Sequence, residues 1–96
     1  MVEHAMSDGH HFLAAELERL RALPLKSKAD ADAWRAEAAA VEHQLTIRFP
    51  DLDFPHEIWH YLSDADIRAR EPDYGGAQEQ VVTDYITSVR EKHPTI

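Results

Sequence analysis

The sequence predicts an all-α fold: a small single domain built as an up-and-down bundle of about four helices. Three observations predict it. Apolar residues recur at helical spacing in four successive stretches of the chain. No stretch of useful length alternates apolar and polar residues as a half-buried strand would. Helix breakers fall between the stretches, at Pro24, at Pro50 and in Glu71-Pro72-Asp73-Tyr74-Gly75-Gly76. Ninety-six residues bury one core with little left for a second layer, so residues 1–96 are expected to form one domain, with 1–6 as a disordered N-terminus.

The first segment is expected to open at Ser7 as N-cap and to run through SDGHHFLAAELERLRAL. Leu13, Leu17 and Leu20 lie at i, i+4, i+7, flanked by Phe12 and Leu23, while Glu16, Glu18, Arg19 and Arg21 take the other faces. His10 and His11 are expected in its first turn, solvated. Pro24 ends it, and the short connection to Lys26 predicts an antiparallel hairpin.

Ser27 opens the second and longest segment, with Asp30 three residues on as a weak capping box. Trp34, Ala38, Val41 and Leu45 form its stripe, and seven alanines favour the helix. Trp34 shares that stripe and is therefore a core anchor. His43 lies mid-helix, but the phosphotransfer-histidine pattern of a lysine and a small residue just after it is not met: Gln44, Leu45 and Thr46 follow.

The third segment starts around Asp53 to Pro55. Ile58, Leu62 and Ala65 share a face, with Trp59 and Tyr61 flanking it. Asp64 with Arg68, and Asp66 with Arg70, stand at i, i+4 as favourable surface pairs. Ser63-Asp64-Ala65-Asp66 also reads as a new N-cap, so the segment is either one helix or two with a break near Ser63. After the loop 71–76, a last helix is expected from about Ala77 to Lys92, with Val82, Ile86 and Val89 as its stripe and Pro94 as its stop.

Hydrophobic content of 44% is too high for a disordered chain. There is no cysteine, which excludes disulfides and thiolate metal ligands, and no apolar run long enough to span a membrane. The first eleven residues lack the basic-then-apolar layout of a secretory signal, so a cytoplasmic location is expected. A net charge of −8 opposes nucleic-acid backbones and anionic lipid, but suits a basic protein partner. That charge is unevenly spread. Arg19, Arg21, Lys26, Lys28 and Arg35 gather around the first turn. Asp51, Asp53, Glu57, Asp64, Asp66, Glu71 and Asp73 crowd the third segment.

One string carries a catalytic mechanism. His56-Glu57-Ile58-Trp59-His60 matches H-E-x-x-H. On a helix the two histidines point the same way and can grip zinc, with Glu57 as general base toward the metal-bound water. The string resembles the zincin metalloproteases. Its extension through Ser63 to Asp66 approaches the longer metzincin pattern, which implies Asp66 as third ligand; the other zincin pattern implies Glu79. Three departures count against this. Serine replaces the metzincin glycine, Pro55 puts the motif in a first turn, and no sheet edge precedes it to hold a substrate. Chance alone supplies such a match at roughly 0.05 per chain of this composition. The catalytic reading, zinc with His56, His60, Asp66 and Glu57, therefore stands second.

The first reading is a non-catalytic protein-binding module that needs no cofactor and docks a basic partner through its third segment. Trp59 and Tyr61 would supply aromatic anchors, and Asp64 and Asp66 carboxylates. In size, acidity and helical architecture the chain is similar to the immunity proteins that neutralise nuclease bacteriocins. Those set acidic helices against a basic enzyme, and Tyr61-Leu62-Ser63-Asp64 is similar to their tyrosine-bearing short third helix. This likeness is too general to assign a family.

Overall fold

A computed structural model describes the backbone of residues 2–92 and the side chains of residues 8–91. The domain is all-α. Its five helices are α1 (Val2–Arg21), α2 (Lys28–Arg48), α3 (His56–Ser63), α4 (Ala65–Arg70) and α5 (Pro72–Lys92). The disorder expected for residues 1–6 falls outside the residues whose side chains are described, and Pro94 lies outside the described backbone.

Each predicted stripe is buried. Leu13, Leu17, Leu20, Trp34, Val41, Leu45, Ile58, Leu62, Val82, Ile86 and Val89 join one core, with Tyr61, Ala65 and Tyr85 among them. Ala14 of α1 and Ala31 and Ala38 of α2 are buried as well. These two helices pair antiparallel. Near the turn the Trp34 indole donates to the Leu20 carbonyl at 2.9 Å. At the far end Phe12 packs on Phe49, with ring centroids 5.6 Å apart, and the Arg48 guanidinium lies over both rings.

Ser27 caps α2 as its residue type demands, its hydroxyl accepting from Asp30 N at 3.1 Å. The Asp30 carboxylate reaches back to Lys26 N at 2.9 Å, one residue short of a full capping box. The third segment is two helices, broken at Asp64 (φ −106, ψ 26).

Two helix starts differ from the sequence expectation. Helix α1 begins at Val2, so Ser7 lies inside it and not at its cap. His10 is therefore not in a first turn; it is half-buried, hydrogen-bonded through Nδ1 to the Tyr85 hydroxyl at 2.9 Å. Helix α5 begins at Pro72, so residues 72–76 of the expected loop are helical, Gly75 and Gly76 included, and only Glu71 stays outside, between α4 and α5. Proline fits a first helical position because its missing N–H would have had no partner there. Gly75 N then donates to Glu71 O at 3.0 Å, and the tertiary bonds of Tyr74 described below hold the glycine-weakened turn in place.

Gly9 has a packing role. A Cβ added there would lie 2.9 Å from Leu52 Cδ1 and 3.2 Å from the Phe49 ring, so glycine lets the segment after α2 lie directly on α1.

Candidate functional site

Helix α3 sorts its residues by angle. Ile58, Tyr61 and Leu62 face inward, and Ala65 and Arg68 extend the same i, i+3, i+4 line into α4. His56, Glu57, Trp59, His60 and Ser63 are left outside.

The four expected docking residues consequently part company. Trp59 is 38% exposed and stacks near Phe54 at 5.2 Å between centroids, while Asp66 is exposed. Tyr61 is 1% exposed and cannot anchor a partner, which corrects its expected role. It stands three residues after Ile58, on the core side of the helix, whereas Trp59 follows Ile58 directly and is turned about 100° away. Asp64 is half-buried and engaged internally.

That engagement belongs to a network centred on Arg68, which is only 7% exposed. Its Nη1 donates to the Tyr61 carbonyl at 2.6 Å and to Gln78 Oε1 at 2.7 Å. The Tyr61 carbonyl needs this donor because the break at Asp64 ends the helical ladder of α3. Arg68 Cζ lies 3.9 Å from the Tyr61 ring centroid and 4.5 Å from that of Trp34. Its Nη2 is buried without a hydrogen-bond acceptor, leaving the aromatic faces to stabilise that side of the cation. Burial pulls the guanidinium down from its ordinary value, with the nearby Tyr61, Glu79 and Asp64 acting in opposition.

Gln78 passes the network outward. Its amide nitrogen donates to the Tyr74 hydroxyl at 3.0 Å and to Asp64 Oδ2 at 3.3 Å, and the Tyr74 hydroxyl donates to the same Asp64 oxygen at 2.6 Å. That bond to Asp64 is the main cause raising the Tyr74 phenol above its ordinary value. On the other side, Tyr61 Oη donates to Glu79 Oε2 at 2.9 Å, and Arg21 Nε lies 3.9 Å from Glu79 Oε1. Burial first, and the Glu79 charge second, push the Tyr61 phenol upward. The expected surface pairs Asp64–Arg68 and Asp66–Arg70 do not form as salt bridges, because Arg68 is turned inward and Asp64 accepts from Tyr74 and Gln78.

The remaining charges fall unequally. Around the first turn, Arg19 pairs with Glu16 and Glu37, Lys28 with Asp32 and Arg21 with Glu79. Along 51–73, Asp51, Asp53, Glu57, Asp66, Glu71 and Asp73 are all exposed, and none is ion-paired within the described residues. Arg70 is the exposed base among them.

The H-E-x-x-H string adopts the geometry its spacing implies: the His56 and His60 rings stand edge to face, 4.7 Å between centroids. The pair is not completed. Among the described residues no three histidine, aspartate or glutamate side chains gather to hold a metal ion. Asp66 does not join the two histidines, and Glu79 is committed to Tyr61 and Arg21. Glu57 is present, but the donor set falls one ligand short of a zinc centre with Glu57 as its base.

No protein-family model matches the chain, and no curated protein or solved structure is significantly similar to it. The site's own chemistry is what bears on function. No helix among the described residues is long and apolar enough to cross a membrane. His43, set aside as a phosphotransfer residue, is exposed on α2. Sequence reasoning missed the Arg68 network. The available signal was Arg68 standing at i+3 from Ala65 and i+7 from Tyr61, on the apolar line of its own helix.

Proposed function

We propose that this chain is a non-catalytic, cytoplasmic protein-binding module that docks a basic partner through the surface of α3 and α4. One observation carries the reading. The segment from Asp51 to Asp73 keeps six exposed, unpaired carboxylates beside a half-exposed tryptophan, while one of its two arginines is drawn into the core. Elsewhere in the described structure, the exposed charges Glu18, Arg19, Arg21, Lys28, Asp32, Glu37 and Arg90 stand in ion pairs. Unmatched carboxylates along a segment that also exposes an aromatic suit charge-steered association, in which a hot-spot ring supplies affinity and the charges supply rate.

The anchor in this proposal is Trp59, and the supporting carboxylate is Asp66. The test is association with a panel of basic proteins, followed across ionic strength. Binding is expected to quicken at low salt, and to weaken in Trp59→Ala and Asp66→Asn while thermal stability holds. Association that ignores salt, or that survives both substitutions unchanged, overturns the proposal.

A further inference from the structure

The flank of α3 turned toward α5, away from Trp59, holds a groove of about 210 Å³. It is lined by Glu57 and His60 from α3 and by Tyr74, Ala77, Gln78 and Val81 from α5. The four α5 residues lie at i, i+3, i+4 and i+7, one continuous stripe along that helix. Their chemistry is divided. Ala77 and Val81 offer carbon, and Tyr74 offers a ring held in place by its 2.6 Å bond to Asp64. The Gln78 amide is already committed, its oxygen to Arg68 and its nitrogen to Asp64 and Tyr74. The one formal charge on the rim that has no ion-pair partner among the described residues is the Glu57 carboxylate.

An apolar trough with a ring at one end and a single unpaired anion on its edge matches a long side chain that is aliphatic along its stem and cationic at its head. We propose that this groove receives one arginine of the basic partner, its methylenes along Ala77 and Val81 and its guanidinium on Glu57. Arginine fits better than lysine here because its planar head forks onto a carboxylate. This inference rests on the docking reading above, and it adds to that reading a specific pocket on a different flank of α3 from Trp59.

The experiment uses N-acetylarginine amide as probe, with backbone amide shifts as the readout. Saturable shifts are expected at Glu57, His60, Tyr74, Ala77, Gln78 and Val81. Affinity should fall about three-fold or more in Glu57→Gln, the size of one exposed charge pair. N-acetylcitrulline amide, equal in shape but neutral, should bind more weakly by a similar factor. Ala77→Leu, which fills the trough without altering charge, should abolish the shifts, with circular dichroism confirming that the fold persists. Shifts that fail to saturate, that ignore Glu57→Gln, or that are as strong with citrulline or with N-acetyllysine amide, overturn the arginine pocket. A hexalysine peptide separates the two ideas. If it binds α3–α4 in a salt-dependent way while acetylarginine amide leaves the groove unmoved, the docking reading stands and the pocket falls. If neither probe binds, both fall.

Discussion

Arg68 and Tyr61 hold each other at two points: the guanidinium carbon lies 3.9 Å from the Tyr61 ring centroid, and Nη1 donates to the Tyr61 carbonyl at 2.6 Å. A single side chain thus covers an aromatic face and closes the helix that carries it. Replacing Arg68 with alanine removes the donor from two buried acceptors and should cost roughly 3 kcal/mol, measured by denaturant unfolding. Lysine should recover little of this, because an ammonium cannot lie flat against Tyr61 and Trp34 while serving both oxygens. An Arg68→Lys protein as stable as the parent would disprove this account.

Two glycines in helices should respond to alanine with opposite sign. At Gly76 nothing lies within 4 Å of an added Cβ, so the helical preference for alanine acts alone and should stabilise by about 0.5–1 kcal/mol. At Gly9 the new methyl would meet Leu52 at 2.9 Å and Phe49 at 3.2 Å, and displacing them should destabilise by about 1–3 kcal/mol. Thermal melts of the two single variants check both signs.

Alkali should unfold the domain through its buried phenols. Burial raises Tyr61 and Tyr85 in the folded state above the ordinary tyrosine value of about 10. A group whose folded value is raised contributes stability that is complete below the unfolded value and is lost as pH climbs toward the folded one. Stability should therefore decline once pH passes about 10. The phenolate absorbance of Tyr61 and Tyr85 should appear together with loss of helical dichroism. Tyr61→Phe should flatten that decline, at the cost of the Glu79 bond at neutral pH.

Much of this fold was legible in the chain. The apolar stripes of α1, α2, α3 and α5 state their own burial, because a 3.6-residue period leaves a leucine at i+4 or i+7 little choice of face. The break near Ser63 was legible as one of two alternatives, since Asp64 offers a helix start in the middle of a helical run. What escaped was decided between segments. Gly75 and Gly76 read as a loop locally, yet Tyr74 and Gln78 tie that turn to Asp64 and Arg68. Arg68 reads as a surface partner for Asp64 until Trp34, from a distant helix, supplies the second ring. The docking residues were partly misread for a nearer reason: Tyr61 and Trp59 sit two positions apart, and that is enough to place one in the core and the other in solvent.

The two histidines of the H-E-x-x-H string should behave as surface residues toward metal. Protein dialysed against zinc-free buffer without chelator is expected to retain well under one equivalent of zinc by elemental analysis. A full equivalent, lost in His60→Ala, would make Glu57 the leading general base and reverse the functional assignment.

The break at Asp64 also sets an order of events during synthesis. Helices α3 and α4 have eight and six residues, each too short to persist alone in water. Trp34 of α2 is already there to meet Tyr61 and Arg68, but the hydrogen-bonding partners Tyr74, Gln78 and Glu79 arrive later, on α5. A nascent chain that has emerged from the ribosome only as far as Arg70 can pair α1 with α2, but it holds Arg68 with no Gln78 to receive it. The Arg68 network therefore closes only once α5 has emerged, after α1 and α2 are able to pair.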